Sequence, residues 1–256
     1  MEKQQVNFKD LGLIDYQIAW DYQESLLQKS VQSKSARRSR ETARETNPEP
    51  GKAIKLKDES YLTEEETHHY FLLCEHPAVY TLGKSGSMEN VLLSEAQLEE
   101  KNIQFFKINR GGDITFHGPQ QIVGYPILDL EKFYTDIGRY LRELEEVIIK
   151  TLAEYNIIGE RSKGETGVWI EPDVPGRERK ICAMGVRCSR WITMHGFALN
   201  VNTNLSYFNN IIPCGIENKQ VTSIEKELKH AVDITEVKEK IKKNFELVFN
   251  VSLSGF

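Results

Sequence analysis

The stretch KICAMGVRCSRWITMHGFALNVN, Lys180 to Asn202, decides the fold. Ile181, Ala183, Gly185, Arg187 and Ser189 alternate with Cys182, Met184, Val186 and Cys188, the period of two of a half-buried strand. Ser189-Arg190 reads as a turn into a second strand through Trp191-Ile192-Thr193, and Lys180 stands at the start of the first, beside the turn EPDVPGRER. Cys182 and Cys188, an even number of residues apart, share one face and are expected to pack in the core.

Working outward, Gly167 to Ile170 (GVWI) reads as another strand, preceded by a long helix. That helix carries Ile137, Tyr140, Leu141, Leu144, Val147, Ile148, Leu152 and Tyr155 on one stripe, with Thr135 as its cap and Arg139, Arg142, Glu143, Glu146 and Lys150 on the solvated face. Its role is to cover a sheet. Upstream, Ile103 to Leu130 reads as strand FFKIN, a Gly111-Gly112 turn, strand ITFH, a break at Gly118-Pro119, and a further strand, QIVGYPILDL. Before it, YFLLCEHPAVYTLG is a buried strand, a turn at His76-Pro77 and a short second strand. Ser94 with Gln97 forms a capping box for a helix, and a C-terminal helix capped at Thr235 presents Val237, Ile241, Phe245 and Val248. Residues 13–31 form an amphipathic helix. Strands alternating irregularly with a few helices predict an α+β fold, a mixed β-sheet flanked by helices, in a single domain spanning 1–256.

From Gln32 to Ala53 no apolar side chain exceeds alanine, so burial cannot offset the entropy of ordering. The segment, about 32–60, is expected to be a hydrophilic mobile insertion, with docking through Arg37-Arg38-Ser39-Arg40 as the alternative. The 256 residues carry 39% hydrophobic residues and a net charge of −5, which advertises neither nucleic acid nor an anionic membrane as partner. The opening residues hold no apolar core of a secretory signal, and no stretch approaches the ~20 apolar residues of a membrane span, so a cytoplasmic location is expected. Four cysteines without paired spacing are expected to be free thiols. A zinc site from Cys74 and His76 with His68 or His69 lacks any recognised ligand repeat, so no metal is expected.

Cys214 lies in NNIIPCGI, between a proline that fixes φ and a glycine that permits unusual angles, a geometry that exposes sulfur. By itself this fits a nucleophile or an ordinary turn cysteine. Arg110 beside Gly111-Gly112 offers a guanidinium and approachable backbone amides, a natural seat for an oxygen-bearing group, and His117 ends a strand; a plain hairpin with a core histidine fits equally.

Together RGGDITFHGPQQIVGYPILDL, KICAMGVRCSRWITMHGFALNVNTNLSYFNNIIPCGI and EHPAVYTLG resemble the lipoyl(octanoyl) transferases, over most of the chain from Leu13 to about Ile224 apart from the insertion. The resemblance implies the catalytic-domain fold of lipoate- and biotin-protein ligases. It also implies transfer of an octanoyl group from octanoyl-acyl carrier protein to a lysine of lipoyl domains, those of 2-oxoacid dehydrogenase complexes and the glycine cleavage H protein, with no cofactor. By the same resemblance the acyl-accepting cysteine is Cys214 and the activating lysine Lys180. The acyl-binding segments are Arg110, Gly111, Gly112, Asp113, Ile114, Thr115, Phe116 and His117; Ala183, Met184 and Gly185; and Gly196, Phe197 and Ala198. The family reads HGPGQ where this chain has His117-Gly118-Pro119-Gln120-Gln121, which puts a bulky residue beside the pocket.

A thioester passed to an amine needs no ATP, only a nucleophile and charge stabilisation, so a lysine-assisted thiol fits the chemistry. Three rivals are an ATP-dependent lipoate ligase, which needs no thiol at Cys214, a cysteine hydrolase, which needs a histidine partner, and a non-catalytic acyl-binding module. Acidic carrier and lipoyl domains would require a local basic patch, for which Arg161, Lys163, Arg177, Arg179, Arg187 and Arg190 are the candidates.

Overall fold

Alternating apolar residues build a sheet with two covered faces in the computed structural model, which describes residues 3–46, 66–212 and 220–256. The strands are β1 (Gln4–Leu13), β2 (His69–Glu75), β3 (Val79–Leu82), β4 (Gln104–Lys107), β5 (Ile114–His117), β6 (Gln121–Ile127), β7 (Val168–Ile170), β8 (Arg179–Ser189), β9 (Ile192–Asn200), β10 (Gln220–Val221) and β11 (Val251–Gly255). The α-helices are α1 (Tyr16–Thr46), α2 (Glu95–Glu100), α3 (Ile137–Ala153), α4 (Ile224–Leu228) and α5 (Ile234–Phe249). The main sheet runs β10-β8-β9-β6-β2-β1-β11, with β7 also on β8; a smaller sheet runs β4-β3-β5. Parallel pairs (β1 with β2 and β11, β8 with β10) and antiparallel pairs occur together, as the mixed α+β expectation requires.

Strand alternation sorts the core. Phe71, Leu73, Ile122, Phe197 and Leu199 face α3 and α5, joining Tyr140, Leu144, Val147, Ile241 and Phe245. Leu72, Cys74, Val123, Tyr125 and Ala198 face the other way, towards Ala19, Leu26 and Leu27 of α1. The capping box at Ser94 and Gln97 forms as expected. Two other caps lie beside the residues expected: Asp136 rather than Thr135 caps α3, and Asp233 rather than Thr235 caps α5, a carboxylate accepting backbone N–H groups in each case. Cys182 is fully buried, whereas Cys188, near the tip of the β8–β9 hairpin, is exposed and packs in no core.

The expected mobile insertion is corrected over its first part. Helix α1 continues through Gln32 to Thr46, and residues 47–65 lie outside the described residues. Ion pairs replace the missing apolar stripe: Lys34, 3% exposed, lies 2.7 Å from Asp129 and 3.0 Å from Glu131, and Arg38 lies 3.0 Å from Glu131. The Lys34 ammonium also donates to the Arg190 carbonyl at 2.9 Å. That carbonyl belongs to the hairpin turn, where Arg190 (φ 50°) and Trp191 (φ 66°) both take the left-handed conformation of a two-residue primed turn.

Lys34→Met is therefore expected to destabilise the fold by about 3–5 kcal/mol in urea unfolding, because it strands the buried Asp129 carboxylate. Adding Asp129→Asn should recover a large part of the loss. A single-variant loss below about 1 kcal/mol would show that the pair contributes as little as a surface one.

Candidate active site

On the α1 face, between the main sheet and the smaller one, lies a cleft of about 810 Å³ including its open mouth. Strands β6, β8 and β9 lay its floor, β5 and the Arg110–Asp113 turn its far side, and Tyr16 of α1 one end. Thirteen of the sixteen residues expected to act line it: Arg110, Gly112, Asp113, Ile114, Thr115, His117, Lys180, Ala183, Met184, Gly185, Gly196, Phe197 and Ala198. Three do not. Phe116 sits in the core of the smaller sheet, its ring stacked 4.6 Å from Tyr207, because neighbouring residues of a strand alternate between faces. Gly111 is outside the lining, its N–H donated to the Val186 carbonyl at 3.0 Å. Cys214 lies outside the described residues.

Lys180, at the start of β8, holds its ammonium 4.5 Å from the centre of the buried Trp169 ring. Its neighbour Arg179 points elsewhere, bonded to Glu227 at 2.7 Å and to Glu171. On one side of the cysteine segment, the Ile212 N–H donates to the Asn90 carbonyl at 2.9 Å, and the Asn90 side chain donates to Asp113 at 2.6 Å. On the other side, Val221 pairs with Lys180 in a parallel ladder. The flanks of residues 213–219 are thus tied to the Arg110–Asp113 turn and to Lys180.

Arg110 lines the cleft, and part of its guanidinium is engaged by the protein itself. It is 8% exposed and donates to the Thr81 carbonyl at 2.8 Å, the Thr81 hydroxyl at 3.0 Å and the Gly111 carbonyl at 2.9 Å, which braces the turn. The turn can press against β8 because residue 185 is glycine: a Cβ there would lie 2.8 Å from the Gly111 carbonyl oxygen.

Burial pulls the His117 pKa down to about 3, so the ring is neutral; its Nδ1–H donates to Gln121 Oε1 at 2.9 Å, and Gln121 in turn donates to Asn200 at 2.9 Å. Burial, with Arg110 and Arg187 nearby, brings His195 to about 3 as well. Burial holds His76 at about 4; its Nδ1–H donates to the Ile14 carbonyl at 2.8 Å, and its Nε2 accepts the Tyr125 hydroxyl at 2.7 Å. That nitrogen is thereby committed, although Cys74 Sγ lies 3.5 Å away. Among the described residues no group of three or more histidine, cysteine, aspartate or glutamate side chains could hold a metal ion.

Tyr16, Gln121, Val123, Tyr125, Asn200, Phe208 and Val221 line the cleft without having been picked out. Period two on β6, counted from Gln121 through Val123 to Tyr125, is the signal that could have found three of them. Gln120 takes φ 63°, the conformation a glycine would supply, and turns its side chain to Asn202 at 2.7 Å rather than into the cleft, so the expected crowding does not arise. The basic patch is largely neutralised: Arg161 pairs with Glu145 and Glu146, Arg177 and Arg179 with Glu171, and Arg187 with Glu24.

Among solved structures, a bipartite lipoate protein ligase from Thermoplasma acidophilum matches at TM-score 0.65 and 13% identity, over 99% of this chain and 87% of that one. A lipoate-protein ligase A bound with ATP matches at 0.64 and 11%, over 100% and 89%. These likenesses define the fold class as that of lipoate-protein ligases. In sequence, residues 50–246 match the lipoyl protein ligase A/B catalytic domain. The octanoyltransferase of Flavobacterium psychrophilum is 55% identical over 249 residues, covering 97% of this chain and 98% of that protein. That of Christiangramia forsetii is 53% identical over 250 residues, covering 97% of each. The chain belongs to the octanoyltransferases of the lipoyl protein ligase A/B family, acyltransferases that move an octanoyl group in lipoate biosynthesis.

Proposed function

We propose that the octanoyl group arrives on acyl carrier protein, rests as a thioester on Cys214 and passes to the acceptor lysine of a lipoyl domain, of a 2-oxoacid dehydrogenase complex or the glycine cleavage H protein. The observation that carries this reading is Lys180, the one lysine among the described residues that lines a largely apolar-floored cleft, tied through Val221 to the chain that follows Cys214. In the first half-reaction the Cys214 thiolate attacks the thioester carbonyl, the bond to the carrier sulfur breaks, and the carrier thiolate leaves with the proton given up by the Lys180 ammonium. In the second, the acceptor amine attacks, the Cys214 thiolate leaves, and Lys180, having given its proton to the carrier in the first step, takes the proton the amine loses. The remaining predicted lining residues, Arg110, Gly112 to Thr115, His117, Ala183 to Gly185 and Gly196 to Ala198, hold the acyl chain. The reading assigns the reaction to the cytoplasm, whose reducing conditions keep a nucleophilic thiol free; among the described residues no helix is long and apolar enough to cross a membrane.

Intact-mass analysis after mixing with octanoyl-acyl carrier protein, without nucleotide, is expected to reveal one octanoyl adduct, absent from Cys214→Ala. Strict dependence on ATP would favour a ligase, and free octanoate as the only product a hydrolase; either result would overturn the proposal.

A further inference from the structure

The cleft floor changes character in rows. Gln121 opposite Asn200 forms a polar row, and the Asn200 side chain donates to the carbonyl of Thr222, whose N–H donates to the Lys180 carbonyl. Next comes a narrow apolar row, Val123, Ala198 and Ala183, paired across β6, β9 and β8. Beyond it lie Gly196 opposite Gly185, with Tyr125 two residues along β6 from Val123. From Asn200 to Gly196 is four residues of extended chain, about 13 Å.

There the floor ends against two aromatic rings. Tyr16, 2% exposed, is held face to face with His117 at 5.9 Å and edge-on or tilted against His76 and Phe106, both at 5.2 Å. Tyr125, 3% exposed, is pinned by its hydroxyl to His76, which is anchored to Ile14, two residues before Tyr16. The rings brace one another through one imidazole, so neither can swing aside without breaking the other's support.

We infer that Tyr16 and Tyr125 form the end wall that limits acyl-chain length, with the reacting carbonyl at the Lys180 end and the terminal methyl against the two rings. The inference rests on the reading of this cleft as the acyl site. Small residues in the middle row leave a channel for a straight chain, and the wall makes each added methylene a steric conflict in a close-packed interior.

The test is competition among octanoyl-, decanoyl- and dodecanoyl-acyl carrier protein, read as ratios of kcat/KM. Tyr16→Leu is expected to raise the decanoyl-to-octanoyl ratio about fifteenfold, the value of two newly accommodated methylenes. Tyr16→Phe, which keeps the ring, should leave the ratio unchanged. A folded Tyr16→Leu enzyme that still transfers octanoate with an unaltered ratio would overturn the wall while leaving the acyl site intact. A Tyr16→Phe shift as large as that of Tyr16→Leu would overturn it too, since the hydroxyl and not the ring would then set the limit. If Tyr16→Leu does not fold, Ala198→Leu serves instead: raising the middle row should move the preference from octanoyl to hexanoyl by a similar factor, and an equal loss for every chain length would sink the inference. Failure of the wild-type enzyme to transfer any chain from the carrier would remove the underlying reading as well.

Discussion

Changing Lys180 to methionine is expected to lower kcat/KM for octanoyl transfer by roughly 10²–10⁴-fold with the fold intact. Methionine is long enough to replace the lysine stem along Trp169, and Arg179, the neighbouring cation, is taken up by Glu171 and Glu227 and cannot substitute. An unperturbed thiol is only about three per cent thiolate at pH 7, and a cation at the mouth of the cleft raises that fraction. Part of the lost activity should therefore return as pH rises towards about 8.5, where the thiol ionises unaided. Lys180→Arg separates the two roles, since arginine keeps the charge but does not accept a proton. Rapid-quench mass spectrometry should then find the acyl-enzyme formed at near-normal rate and persisting. Equal loss in both half-reactions would count against a separate proton-accepting role for Lys180, and no loss in either would mean that it supplies charge alone.

The elements legible in the sequence were those whose stabilising contacts are local or periodic. The β8–β9 hairpin shows as strict alternation on either side of a two-residue turn, and α3 as a stripe whose Tyr140, Leu144, Val147, Ile148 and Leu152 are all fully buried. What escaped depends on partners distant in sequence. Strand β1 pairs with β11, more than two hundred residues away, so neither end of the chain declared itself. The second half of α1 is fixed by Lys34 reaching Asp129 and Arg190, contacts 95 and 156 residues apart, in a segment where hydrophobic pattern is absent by construction. Thirteen residues marked by family motifs line the cleft, whereas Tyr16 and Tyr125 look like ordinary core aromatics until the fold brings α1 over β6. The arginines around Lys180 read as a basic patch because their carboxylate partners, Glu24, Glu145 and Glu227, come from other elements.

The urea midpoint is expected to fall steeply between pH 6.5 and pH 5, well before ordinary carboxylates titrate. Four of the six histidines, His69, His76, His117 and His195, are buried. Burial depresses all of them, His69 and His76 to about 4 and His117 and His195 to about 3. In the unfolded chain a histidine takes up its proton near pH 6.5. A folded pKa below the unfolded value means that the unfolded state binds the proton first, so stability is full above about pH 6.5 and declines below it until the folded pKa is reached. Each histidine contributes a slope of about 1.4 kcal/mol per pH unit. Four acting together reach several kcal/mol by pH 5, comparable with the whole stability of a typical domain, about 5–15 kcal/mol. Hydrogen bonding reinforces the neutral forms: His69 Nδ1 accepts the Asp129 N–H at 3.1 Å, and His76 Nε2 accepts the Tyr125 hydroxyl, so protonation at either nitrogen removes an acceptor. His69→Gln, whose amide oxygen can take over that acceptance, should reduce the pH slope of unfolding by about one proton, or about 1.4 kcal/mol per pH unit. A midpoint that stays flat from pH 7 to pH 5 would show that the four rings exchange protons as freely folded as unfolded, and the polar end of the cleft beside His117 would then carry charge.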